Sequence, residues 1–149
     1  MTLYFEDLSP GMVVGLGSVT VTEAEIIEFA TKYDPQPFHI DPEAAAESDF
    51  GGVIASGWHT CALFMRLFVD GFSNDTVSHG GPGMDELRWL APVRPGDTLT
   101  ARFTIIEARA SRSKPDRGLV RSQWEMRNQD DVVVMTLRGM GFYGRRPGS

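Results

Sequence analysis

The sequence predicts an α+β domain, a curved antiparallel sheet of about five strands packed on one long buried helix. Three observations lead there. The C-terminal half reads as successive strands with alternating apolar and polar residues. The segment Trp58–Val69 is apolar most of the way round, the mark of a helix enclosed by other elements. The remaining helix signals are short, capped and confined to the N-terminal half.

Along the chain, Pro10-Gly11 marks a turn into a strand over Met12–Thr22, where Val13, Val14, Val19 and Val21 favour extended backbone. Thr22, with Glu25 three residues on, forms the start signal of a capping box. The helix that follows is expected to bury Ile26, Ile27, Phe29 and Ala30 and to stop before Pro35. Asp41-Pro42 repeats the start signal, an N-cap with proline at the first helical position, for a short helix over Glu43–Glu47. A loop through Phe50-Gly51-Gly52 leads to Ser56-Gly57, which opens the buried helix; its main apolar stripe is Trp58, Cys61, Ala62, Met65, Phe68 and Val69. Strands are then predicted over Asp85–Leu90, Thr98–Ala108, Leu119–Arg127 and Val132–Met140, with turns at Arg94–Asp97 and Asn128–Asp131.

At 149 residues the chain has the size of a single domain able to bury a core without disulfides or metal. Its apolar share of 42% and charged share of 23% are those of a globular protein. A net charge of -6 and a pI near 5.0 argue against nucleic acid or an anionic membrane as partner. The single cysteine, Cys61, excludes an intrachain disulfide and fits a reducing cytoplasm. The N-terminus lacks the basic start of a signal peptide, and the apolar run Cys61–Val69 is interrupted by Arg66 and too short to span a bilayer. The domain is placed at residues 1–144, with a disordered tail over 145–149.

The segment Tyr33–Pro42 carries the chemical signal. Asp34 and His39 flank Pro35 and Pro37, which stiffen the backbone and keep regular helix from forming between them. Singly, Asp34 reads as a helix terminator and His39 as a buried, hydrogen-bonded imidazole. Together they make a candidate general acid–base pair aimed at one water. Ser56 and Gly57 start a helix whose free N–H groups and dipole suit a developing oxyanion, although an ordinary cap has the same signature. His59, in the first turn of that helix, lines a substrate tunnel or a subunit contact. Asp41 is explained by its cap and His79 by a loop. The three histidines have no metal-ligand spacing, and the glycines at 80, 81 and 83 do not follow a strand and open a helix as a nucleotide fingerprint requires. Arg109, Arg112, Lys114, Arg117 and Arg121 form a basic cluster that is either a solvated hairpin end or a contact for carrier phosphates.

These motifs resemble the MaoC-like dehydratases, the (R)-specific enoyl-CoA hydratase group of the hot-dog superfamily. Asp34, Pro37, His39, Asp41 and Pro42 occupy the positions of the family motif, and Val53–Gly57, Glu86–Trp89 and Val93–Asp97 match later blocks. The resemblance implies a hot-dog fold, paired as a homodimer or a dimer of dimers. It implies that Asp34 and His39 deliver one water across a trans-2-enoyl thioester while the Gly57 amide holds the thioester oxygen. The substrate would be an acyl-CoA or an acyl carrier protein thioester, bound by Gln36, Ser56, Trp58 and His59, with no cofactor or metal. A thioesterase and a non-catalytic acyl-thioester binder are the alternatives. Tyr33 and Gln36 stand where the family usually has glycine and asparagine, and Ala62 where some hydratases carry serine, departures that bear on pocket shape and on one hydrogen bond near the site.

Overall fold

The computed structural model covers residues 1–149. The elements are β1 (Val13–Thr20), α1 (Glu23–Tyr33), α2 (Pro37–Ile40), α3 (Pro42–Glu47), α4 (Gly57–Gly71), β2 (Met84–Trp89), β3 (Thr98–Ala110), β4 (Arg117–Arg127) and β5 (Val133–Gly144). The strands form one antiparallel sheet in the order β1-β3-β4-β5-β2, which leaves β1 and β2 as its edges. Every strand expected from the alternation is present.

Leu99, Ala101, Phe103 and Ile105 of β3 point to one buried face, and Val120, Trp124 and Met126 of β4 join them. Helix α4 packs on that face through its rings. Phe64 stacks on Trp124 at 4.5 Å, and Phe68 meets Trp124 at 4.9 Å and Phe103 at 5.4 Å. The buried positions of α4 are thus His59, Thr60, Phe64 and Phe68. This corrects the expected stripe, of which only Phe68 is fully buried. Trp58 and Met65 are 57% and 39% exposed, and Ala62 is exposed as well. A single sheet covers one side of a helix; on the other side α1 covers only the first turn, at His59, and the rest is open.

The local signals are obeyed with small differences. The Thr22 hydroxyl accepts the Glu25 N–H, but the Glu25 carboxylate returns to that hydroxyl instead of the backbone. In α1 only Ile26 and Ala30 are fully buried. Asp41 caps α3 by accepting the N–H groups of Glu43 and Ala44. Between Asp34 and His39 the prolines do not exclude helix: Pro37 is the first residue of the one-turn α2, a place where its missing N–H costs nothing. At Arg94–Asp97, Gly96 has φ +88, which a residue with a side chain adopts only under strain. That turn places Val93 against Ala55, whose N–H donates to the Val93 carbonyl at 2.8 Å. The segment expected to be a disordered tail begins with two anchored residues. Arg145 pairs with Glu6 at 3.0 Å and Arg146 with Asp7 at 2.7 Å, opposite charges brought together where β5 ends beside the N-terminus.

Candidate active site

The C-terminus of α1, the single turn α2 and the N-terminus of α4 converge on one cleft of about 470 Å³. Asp34 ends α1, with φ -155 and ψ 66, and its N–H still closes the last helical bond to Ala30. His39 lies in α2, 4% exposed. Its Nε2 is 3.3 Å from Asp34 Oδ2. On the other side of the ring Nδ1 meets the Ile54 carbonyl at 2.6 Å. A carbonyl only accepts, so Nδ1 carries a proton and Nε2 is the nitrogen free to exchange one.

The Asp34 carboxylate is held at both oxygens. Gln36 donates to Oδ1 at 2.7 Å and the Ser56 hydroxyl donates to Oδ2 at 2.7 Å. Partial burial opposes ionisation of this carboxyl, but the Gln36 and Ser56 hydrogen bonds and the nearby His39 together outweigh it, so its pKa falls below the ordinary carboxylate value. The short strip Ile54–Gly57 therefore sets the whole arrangement. Ile54 fixes the imidazole, Ser56 fixes the carboxylate, and Gly57 places at the cleft wall a backbone N–H with no partner in the protein. Ser56 also caps α4, accepting the Trp58 N–H at 3.3 Å.

Asp34, Gln36, His39, Gly57 and Trp58 all line the cleft, as the sequence leads one to expect. Ser56 is fully buried behind Asp34 and does not line the cleft; it acts on the carboxylate. His59 is not at the site. It faces α1, where its ring stacks on Phe29 at 4.7 Å, and its buried Nδ1 has no hydrogen-bond partner. Burial lowers its pKa, with the charge of Glu25 acting the other way. Position 59 is about half a turn round the helix from 57 and lines a separate shallow hollow against α1, with Phe29 and Tyr33, so no tunnel-lining role follows from it here.

Tyr33 lies with His59 along the shallow hollow beside α1, 71% exposed, and does not touch the cleft. Gln36, in place of asparagine, reaches Asp34. Ala62 points outward, away from the cleft, so the missing serine removes nothing there.

The cleft also contains residues that local sequence did not reveal. Phe50, Trp89, Leu90, Val93, Val134 and Thr60 complete its walls. Trp89, the last residue of β2, lies over Gly57 and meets Trp58 edge to face at 5.2 Å. Phe38 packs on His39 at 4.5 Å and on Phe50 at 5.2 Å, and the Phe50 carbonyl accepts a bond from Arg94 at 2.7 Å. The basic cluster is elsewhere, at the hairpin between β3 and β4. Arg117 there pairs with Gly144, whereas Trp89 pairs with Met135 at the other end of β5. Arg109 and Arg121 pair with Glu107, and Arg117 with Asp116. Those pairs support the solvated-hairpin reading.

Residues 7–124 match the sequence pattern of a family described as the MaoC like domain. The uncharacterized protein YdeM of Bacillus subtilis is 33% identical over 131 residues, which cover 87% of this chain and 90% of that one. An (R)-specific enoyl-CoA hydratase of Rhodospirillum rubrum is 31% identical over 112 residues, 68% of this chain and 69% of that protein. Among solved structures, a MaoC-like dehydratase from Rhodospirillum rubrum superposes with a TM-score of 0.89 at 42% identity, covering 97% of this chain and 99% of that one. A Mycobacterium tuberculosis protein with a double hotdog fold superposes at 0.82 with 19% identity, over 99% of this chain and 46% of its own, a likeness of fold.

Proposed function

Because the chain belongs to the MaoC-like domain family, we propose that it is a hydro-lyase that adds water to a trans-2-enoyl thioester and, in reverse, removes it from an (R)-3-hydroxyacyl thioester. The observation that carries this reading is the convergence, on one strip of chain, of an ionised carboxylate, an imidazole with its outer nitrogen free and an unpartnered amide, all at one cleft.

A water held between Asp34 Oδ2 and His39 Nε2 loses a proton to Nε2 as its oxygen bonds to the β-carbon of the enoyl group. The π electrons move toward the α-carbon and the thioester oxygen, where the Gly57 N–H and the N-terminal end of α4 stabilise the enolate charge. Nε2–H then returns a proton to the α-carbon, and the imidazole is regenerated. Asp34, already engaged at both oxygens, stays ionised; it aims the water and stabilises the imidazolium that forms. No cofactor enters the sequence. The apolar walls, with Phe50, Trp58 and Trp89, suit the acyl portion of an acyl-CoA or acyl carrier protein thioester.

We read the active form as a homodimer or a dimer of dimers. Trp58, Trp89 and Leu90 are exposed apolar residues of the cleft wall, Met65 is exposed about two turns further along α4, and the edge strand β2 is unpaired on its outer side. No helix is long and apolar enough to cross a membrane; a cytoplasmic location remains our proposal.

Crotonyl-CoA tests the reaction. Loss of enoyl absorbance without release of free thiol is the expected result. Thiol release would identify a thioesterase instead, and binding without either change a non-catalytic carrier protein.

A further inference from the structure

We infer that Ser56 is a positioning residue for the acid–base pair, its single hydroxyl proton holding the Asp34 carboxylate in register with both His39 and the Gly57 amide. Where turnover is the readout, the inference rests on the hydration reading above; the hydrogen bond itself does not.

Ser56 has no solvent exposure, so its hydroxyl must find partners inside the protein. It finds two of different kinds. A lone pair accepts the Trp58 N–H, which is all that capping α4 requires. The proton goes to Asp34 Oδ2 at 2.7 Å, which capping does not require. That bond joins the end of α1, where the acid sits, to the start of α4, where the free amide sits. It also falls on the oxygen nearest His39, the titratable side chain that faces Asp34 from α2. A rotation of Asp34 would move Oδ2 away from Nε2, and the Ser56 bond opposes it. Gln36 restrains the other oxygen, but from an exposed side chain two residues along the same segment. Ser56 is thus the buried tether to a different helix.

The chemistry of the tether is directional. A hydroxyl donating to a carboxylate favours its charged form, and burial disfavours it. Removing the donor should therefore raise the pH at which Asp34 titrates and loosen its alignment. A residue that only capped the helix would change stability and leave that titration where it was.

The experiment follows the Asp34 carboxyl by carbon-13 NMR through a pH titration, in the wild-type chain and in Ser56→Ala and Ser56→Thr. Turnover on crotonyl-CoA is measured in parallel. In Ser56→Ala the midpoint should rise by about 0.5 to 1 pH unit, the scale of one lost hydrogen bond. Turnover should fall ~10-fold with KM changed less than about twofold, because alignment matters at the transition state. Ser56→Thr, which keeps the hydroxyl, should restore most of both. Ser56→Cys, nearly equal in volume and a weaker donor, replaces the alanine variant if that does not fold, and its midpoint should also rise. An unmoved midpoint in a folded variant overturns the inference, whatever happens to turnover. A midpoint raised in Ser56→Ala, with a wild-type protein that hydrates no enoyl thioester, leaves the tether standing and defeats the hydration reading.

Discussion

Trp89 lies so close over Gly57 that a β-carbon at position 57 would overlap Cε2, Cδ2 and Cζ2 of the indole. The glycine is there because a ring from β2 crosses the first turn of α4. This bears on any test of the oxyanion site, since every side chain at 57, proline included, meets the ring before it meets substrate.

Gly57→Ala should lower turnover at least ~10-fold by displacing Trp89 or the first turn of α4. Trp89→Ala in the same chain should restore part of the lost stability, so a double-mutant cycle should give a coupling energy of about 1–3 kcal/mol. Additive effects on thermal unfolding would show that the indole and the glycine are not in contact.

Asp34 and His39 are expected to act as a unit. Asp34→Asn keeps the shape and removes the charge, and His39→Ala removes the exchanging nitrogen; each should lower kcat by about 10² or more. The double variant should lose little beyond either single one, because both groups act on one water. Steady-state kinetics on enoyl-CoA check this, and activity within a few-fold of wild type in folded Asp34→Asn would defeat the assignment.

His59 provides the opposite test. His59→Phe keeps the stack on Phe29 and removes a buried nitrogen that has no partner. Stability should be unchanged or higher by roughly 1 kcal/mol, and kcat should stay within about threefold. A hundredfold loss of turnover would place His59 in the chemistry after all.

Burial pushes the Tyr143 hydroxyl up to about 12, above its ordinary value of 10.0. The folded state then holds the phenolic proton where the unfolded chain releases it. Stability is full below the unfolded value and falls as pH rises from about 10 toward 12, by roughly 2–3 kcal/mol in all. Denaturant unfolding at pH 9 and pH 11 should show the loss, and Tyr143→Phe should show less of it.

Association should be visible in solution. Light scattering at micromolar concentration is expected to give a dimer or tetramer mass, because Trp58, Met65 and the outer edge of β2 are otherwise left to water. Charged substitutions at Met65, such as Met65→Glu, should shift the mass toward monomer. A stable, active monomer would contradict this reading.

What the sequence determined by itself was whatever depends on neighbours in the chain. The Thr22 and Asp41 caps, the alternation that sends Leu99, Ala101, Phe103 and Ile105 to one face, and the Asp34–His39 spacing all act over a few residues, so they are legible without a fold. The prolines were legible as stiffening, but the single turn at Pro37 was not, since proline both breaks helices and starts them. Tertiary structure decided the rest. Which side of α4 is buried follows from where the sheet lies: Phe68 of the expected stripe is buried together with Phe64, which lay off it, because Phe103 and Trp124 are opposite them, and Trp58 and Met65 are left exposed. The same geometry turned His59 toward Phe29, drew Ser56 behind Asp34 and laid Trp89 across Gly57. Those contacts join segments far apart in the chain, and their distances depend on how helices and strands pack, which no local spacing of residues encodes.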